Sequence, residues 1–167
     1  MVGILTDNLY PSGSVVQVKQ AFTQTTAVYT NTNTWTNLGG LQVDITPKLP
    51  NSQMLLSGQI GCADHEQNTY LVTFRYASYR GNNTTVIGQG ANTGRVGSTA
   101  IRGTATGDAN GIVSIVLPQY LDSPGESNQI SYFVQYNNYN GGNFYYNRDK
   151  GNNEVFPSSL TVMEIAQ

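Results

Sequence analysis

Charged side chains are scarce in this sequence. They make up 11% of its 167 residues, with a formal net charge of -2, whereas about 25% is ordinary for soluble domains. The Lys and Arg residues are scattered along the chain, so it has no basic stripe of the kind that phosphate backbones require. A chain near neutrality also lacks the self-repulsion that keeps copies apart. The composition argues against nucleic-acid binding and suits a protein that packs against neighbours.

Cysteine and long apolar runs are also lacking. The single cysteine, Cys62, cannot form an internal disulfide, so packing and strand pairing must hold the fold. The N-terminal residues show neither the basic region nor the apolar run of a signal peptide, and no stretch is long enough to span a membrane. We therefore expect no membrane partner and assembly of the chain in a cytoplasm.

Alternation with a period of two runs through most of the chain, and no segment has the period of a helix. Leu41, Val43 and Ile45 alternate with polar neighbours, which predicts one buried and one wet face. Turn clusters of Gly, Asn, Pro, Ser and Asp separate the runs, and their spacing indicates a single-domain sandwich or barrel. The predicted strands are Ser14–Phe22, Ala27–Thr30, Thr34–Asn37, Leu41–Thr46, Gln53–Cys62, Asn68–Ala77, Thr84–Ile87, Thr99–Thr106, Gly111–Leu117, Gln129–Tyr139, Asn143–Asn147 and Ser159–Ile165.

Candidate chemistry is confined to one strand end, where Cys62, Asp64, His65 and Glu66 are crowded. Structural zinc typically takes four Cys or His ligands, and the chain has only one of each. Nucleophilic catalysis would need His65 as its base, and nothing marks any serine as its partner. A solvated turn is the simpler interpretation. We predict no enzyme activity, no metal site, no catalytic residues and no cofactor.

Three stretches carry a resemblance that covers most of the chain. They are VVQVKQAFTQTT at 15–26, LGGLQVDITP at 38–47 and SLTVMEIA at 159–166. They resemble the first, second and last strands of small jelly-roll virion proteins and fibre-tip domains of tailed phages, particularly cyanobacterial and marine ones. The resemblance implies an all-β, antiparallel jelly-roll-like sandwich without catalysis, a homotrimer, and a place in the virion.

The short segment before the first strand favours one member of that group. Fibre proteins usually attach the head domain to a longer shaft, whereas this chain resembles a decoration, or cement, protein. We therefore expect it to oligomerise, to bind the major capsid protein, and to stabilise the shell. Its expected location is the capsid surface rather than the tail, after assembly in the host cytoplasm. The alternative is a tail-fibre tip or receptor-binding module that recognises a cell-surface glycan.

Two sets of apolar residues are candidates for partner contacts. The first lies in an N-terminal arm, 1–13, that precedes the sandwich at 14–167; the arm could anchor to the capsid, exchange between protomers, or add an edge strand to its own sheet. The second lies in an aromatic segment whose rings could instead fill the core. The candidates are Val2, Ile4, Leu5, Leu9 and Tyr10 in the arm, and Phe133, Phe144, Tyr145 and Tyr146 in the aromatic segment.

Overall fold

The computed structural model describes residues 10–30, 33–63, 71–88, 99–102, 112–139, 142–151 and 153–167. These residues form eleven strands and no helix, so they include no helix that could span a membrane. The strands are β1 (Val15–Thr23), β2 (Ala27–Tyr29), β3 (Thr36–Ile45), β4 (Gln53–Ala63), β5 (Leu71–Arg80), β6 (Asn83–Ile87), β7 (Thr99–Arg102), β8 (Ile112–Asp122), β9 (Ile130–Tyr139), β10 (Phe144–Tyr146) and β11 (Ser158–Ile165).

The strands form two antiparallel sheets that pack as a sandwich. The first sheet has the order β1-β11-β4-β10-β2, with β8 also paired to β4. The second has the order β3-β9-β5-β6, with β7 also paired to β5. Four pairs are nested along the chain: β1 with β11, β3 with β9, β4 with β8, and β5 with β6. This nesting is a long hairpin rolled into two sheets, which confirms the predicted jelly-roll fold.

The core lies between the two sheets and consists of the alternate residues that the sequence predicted to face inward. Leu41, Val43 and Ile45 of β3 are at most 4% exposed. Phe74 of β5 and Tyr132 of β9 are fully buried in the same cluster. The alternation is therefore confirmed, because a strand of period two can bury only one side chain in two against the facing sheet.

One predicted turn is wrong. The sequence predicts that Gly39 and Gly40 separate the strands Thr34–Asn37 and Leu41–Thr46, but the chain continues through them as β3. Both halves of β3 pair with β9, from Asn37 and from Gln42, so the residues between them bulge out of the ladder instead of reversing the chain. Gly40 has φ +77°, and a Cβ there would lie 2.8 Å from Oγ1 of Thr23. A bulge and a turn both favour a glycine with positive φ at this position, so the local sequence is the same for either structure.

A second difference concerns β8, which continues five residues past its predicted end at Leu117. The strand passes through Pro118 and ends at Asp122. Its register on β4 shifts between Leu56 and Gly58, opposite the proline. Proline withholds a backbone donor, which is tolerated at a bulge on a strand paired along one edge.

Residues 1–9, most of the predicted arm, lie outside the described residues.

Candidate interaction surfaces

Two of the predicted contact residues, Phe144 and Tyr146, lie in the core. Each is 1% exposed. The ring of Phe144 lies 5.6 Å from that of Phe74 and 5.7 Å from that of Tyr136, centroid to centroid. Burial raises the pKa of Tyr146 to about 12. Phe144 and Tyr146 therefore fill the core, which is the alternative given for the aromatic segment. Their contact with a partner stays a prediction.

The other two aromatic candidates point away from the core but are also covered. Phe133 is 5% exposed and Tyr145 is 7% exposed. Tyr145 packs with Ala63 in a small cluster of its own, and the guanidinium of Arg148 lies 5.8 Å from its ring centroid. Both faces of β9 are therefore buried within the single chain, where Tyr132 on the opposite face is fully buried.

The N-terminal arm enters the sandwich beside the end of the chain. The amide of Gly13 donates to the carbonyl of Ala166 at 2.8 Å, and the amide of Ala166 donates to the carbonyl of Ser14 at 2.9 Å. Tyr10 is 38% exposed. The remaining arm candidates, Val2, Ile4, Leu5 and Leu9, lie outside the described residues.

The strand end that carries Cys62 offers no described ligand cluster. Cys62 is fully buried, with its Sγ 3.7 Å from the carbonyl oxygen of Val113. Asp64, His65 and Glu66 lie outside the described residues. Across the part of the chain that the structure describes, no three His, Cys, Asp or Glu side chains are grouped closely enough to hold a metal ion.

The sequence did not single out the outer side of β1, β11, β4 and β8 in the first sheet, where no outward-facing residue is charged. Strands β1, β11, β4 and β8 contain three charged residues, Lys19, Glu164 and Asp122, and each is in register with an inward-facing position. We call the outward residues of these four strands the neutral face. They are Val15, Val18, Gln20, Phe22, Gln53, Leu55, Ser57, Gln59, Ser114, Val116, Leu121, Ser159, Thr161, Met163 and Ile165.

An unbroken apolar row crosses the neutral face. Val18 is paired with Met163, Met163 with Leu55, and Leu55 with Leu121, one from each of the four strands. The two ends of the row are about half exposed, Val18 at 53% and Leu121 at 45%. Phe22, 60% exposed, lies two positions along the same face. Single exposed apolar residues are ordinary, but a contiguous row is typical of a contact surface.

The outer side of the second sheet carries a contrasting polar group around Trp35. The guanidinium of Arg75 lies 3.9 Å from the centroid of the Trp35 ring. Its Nε donates to Oε1 of Gln135 at 2.9 Å, and Nε2 of Gln135 donates to Oδ1 of Asn37 at 3.0 Å. We call these four residues the Trp35 cluster. Its cation–π contact and linked amides hold an aromatic ring and planar polar groups in one arrangement.

Two buried polar atoms lie beside the Trp35 cluster. Thr73 and Asn137 are cross-strand partners on the same side of the sheet, and each is 3% exposed. Oγ1 of Thr73 and Oδ1 of Asn137 have no hydrogen-bond partner among the described residues. An unsatisfied buried polar atom costs about 1–3 kcal/mol, and the hydroxyl of Tyr76 and Oδ1 of Asn138 are in the same situation elsewhere among the described residues.

Two further polar groups serve the fold. Arg80 forms an ion pair with Asp122, which joins β5 to β8 across the sandwich, and the hydroxyl of Tyr132 donates to the same carboxylate at 2.6 Å. Burial and this carboxylate raise the pKa of Tyr132. Glu164 of β11 is fully buried and accepts hydrogen bonds from β1 and from the loop between β3 and β4. Burial acts to raise its pKa, but these hydrogen bonds together hold it below the ordinary value.

The comparisons with known proteins concern the fold. No protein-family model matches the chain, and no curated protein matches it. The structure is similar to that of a mutant VP2 protein of infectious bursal disease virus in derived T=1 particles, with TM-score 0.49, 11% identity and coverage of 99% of this chain and 40% of that one. For the infectious bursal disease virus Gx strain, the TM-score is 0.44 at 9% identity, over 98% of this chain and 41% of that one. The chain thus spans less than half the length of either. Similarity this distant bears on neither function nor partners.

Proposed function

We propose that this chain is a structural protein of a virus particle, specifically a capsid decoration, or cement, protein of a tailed phage. The observation that carries the proposal is the surface: eleven large hydrophobic side chains are exposed on the described part of a chain that holds few charges. Moving such a surface out of water costs little desolvation free energy, so the surface is suited to contact with other proteins.

The position of the three resembling stretches supports the proposal. The stretch 15–26 contains β1, 38–47 lies largely in β3, and 159–166 covers all of β11 except its first residue. The middle one belongs to the third strand rather than the second, because the short β2 precedes it. β1 pairs with β11, and Nε2 of Gln17 reaches from β1 to the carbonyl of Thr46 after β3 at 2.8 Å. The stretches thus form one corner of the sandwich.

The arm enters at that same corner, beside Ala166. In the proposed role, its apolar residues Val2, Ile4, Leu5 and Leu9, together with Tyr10, bind the major capsid protein or a neighbouring protomer. The body then bridges adjacent capsid subunits in a homo-oligomer, threefold in the arrangement that the resemblance implies. Stabilisation follows from mass action, because a ligand that binds only the assembled shell adds about 2.7 kcal/mol per site at a hundred times its Kd.

The experiment adds the purified protein to phage heads that lack it, with electron cryomicroscopy and thermal disruption of the heads as readouts. We expect regularly spaced protrusions and a higher disruption temperature. A variant with Leu5→Ser and Leu9→Ser should bind less while its own unfolding is unchanged, and Val155→Ser, at an exposed position outside the arm, is the matched control. Bare heads with an unchanged disruption temperature would refute the proposal.

A receptor-binding role is the second candidate, and the Trp35 cluster favours it. An aromatic ring fixed beside a guanidinium and planar amide groups is chemistry suited to a sugar. Tyr145 and Tyr146 are poor test positions because their truncation would disturb packing. Trp35→Ala should abolish adsorption to host cells, whereas Tyr79→Ala, an exposed aromatic on the same sheet, should not. Equal adsorption by both variants would exclude this role for the cluster.

A further inference from the structure

The neutral face is suited to burial because four of its polar side chains already bind one another in two pairs. Nε2 of Gln20 donates to Oγ1 of Thr161 at 3.0 Å, linking β1 to β11. Nε2 of Gln59 donates to Oγ of Ser114 at 2.5 Å, linking β4 to β8. A donor that keeps its partner loses little when water leaves, whereas an unpaired one is costly to bury. The face therefore combines a continuous apolar row with two amides that each already donate to a neighbouring strand.

The absence of charge restricts what can cover this face. A charged partner surface would lose its hydration without gaining an opposite charge in return. A surface with the same properties would lose nothing in this way. The neutral face of another copy is such a surface, and two like faces meet with little repulsion. Glu164 and Asp122 point inward, and Lys19, although exposed, is in register with an inward-facing residue and not with the face.

The dimensions of the face agree with this partner. Four strands spaced about 4.8 Å apart, each contributing about eight residues with a rise of 3.3 Å, cover about 500 Å². Two such faces would bury about 1,000 Å² in total, which is close to the lower limit for specific interfaces. Phe22 and the two ends of the apolar row supply the most exposed side chains for that contact.

We propose that two copies of this chain stack face to face through their neutral faces, related by a twofold axis. Each copy presents the same patch to the other, which is the arrangement that a self-complementary surface produces. The contact goes beyond the proposed function, because a decoration protein can bind a shell with or without it. A threefold assembly would use other surfaces, so the mass in solution distinguishes the two arrangements.

The test measures the mass of the full-length protein by sedimentation equilibrium over a range of concentrations. We expect twice the chain mass of 18.1 kDa, because the threefold arrangement of the proposed function would form only on the shell. Val18→Glu combined with Leu121→Glu places charge at both ends of the apolar row and should weaken the pair at least 100-fold. Both side chains are about half exposed in the single chain, so we expect the variant to fold. Val86→Glu, at a 38% exposed position on the second sheet, is the matched control and should leave the pair intact.

Circular dichroism and the fluorescence of Trp35 establish that each variant is folded. A mass of 18.1 kDa for the wild type at every concentration would overturn the proposal. The proposal would also be overturned if the double variant formed the same dimer as the wild type, or if Val86→Glu weakened the dimer as much as the double variant does. A mass of three chains that no variant changes would overturn it as well. Because no phage head enters this assay, failure of the face-to-face contact is distinguishable from failure of the decoration role.

Discussion

Replacing Glu164 by Gln tests a buried carboxylate that accepts four hydrogen bonds from other parts of the fold. Its Oε2 accepts from Nε2 of Gln17 at 2.6 Å, and its Oε1 accepts from Oγ of Ser52 at 2.7 Å and from the amides of Lys48 and Leu49 at 2.9 Å each. The carboxylate thus joins β11 to β1 and to the loop between β3 and β4. Gln keeps the shape of the side chain but removes the charge, and it replaces one acceptor oxygen by an NH₂ group.

The expected loss follows from these contacts. Hydrogen bonds to a charged group contribute about 1.5–3 kcal/mol, whereas neutral ones contribute about 0.5–1.5 kcal/mol. The three hydrogen bonds to Oε1 are therefore weakened in the variant. The fourth bond is lost, because the NH₂ group of the new Gln faces the donating NH₂ group of Gln17. Relief from burying a charge offsets part of the loss. We expect the free energy of unfolding to fall by about 2 kcal/mol at neutral pH. The melting temperature should fall by about 4–8 °C for a chain of this length.

The pH dependence gives the sharper readout, with urea unfolding followed by the fluorescence of Trp35. The folded-state pKa of Glu164 is held below its ordinary value of 4.5, so its contribution is present above the unfolded-state pKa. That contribution is lost as the pH falls through the folded-state pKa. The difference between wild type and Glu164→Gln should therefore shrink in acid. Glu126→Gln, at an exposed position, is the control and should change stability little. A difference that is absent at neutral pH, or constant down to acid, would refute the argument.

Two further substitutions test close packing and the link between the sheets. In Gly61→Ala, the new Cβ would lie 2.6 Å from Cβ of Phe156 and must displace it, so we expect a loss of about 1–3 kcal/mol in urea unfolding; wild-type stability would contradict this. Arg80→Met leaves Asp122 without its cation, and because the pair keeps some exposure we expect about 2 kcal/mol of destabilisation, less than for a fully buried pair. Lys19→Met is its control, and equal effects of the two would argue against the link.

Local patterns predicted most of the strands. The inward residues of β3, β5 and β9 follow from alternation, because burial against a facing sheet selects every second side chain. The hairpin between β5 and β6 follows from its turn residues, with Arg80 paired to Asn83 and Gly81 at φ +58°. The glycine pair before Leu41 shows the limit of this reasoning. A bulge and a turn have the same local signature, and only pairing of both halves with β9 distinguishes them.

The candidate surfaces depended on partners distant in sequence. Phe133 and Tyr145 look exposed by alternation, yet other parts of the chain cover them. The Trp35 cluster joins β3, β5 and β9, and no spacing in the sequence brings Arg75 to Trp35. These are contacts between segments that the chain order leaves far apart.

By itself, the sequence determined the all-β class, the location of the strands and which side of each strand is apolar, because these follow from period two and from turn chemistry within a few residues. Only the tertiary structure decided the order of the strands in the sheets and the registers between them. Val18, Leu55, Leu121 and Met163 are single apolar residues on four separate strands. They become one row because β1, β11, β4 and β8 pair in that register, and register is set by the burial of the opposite faces.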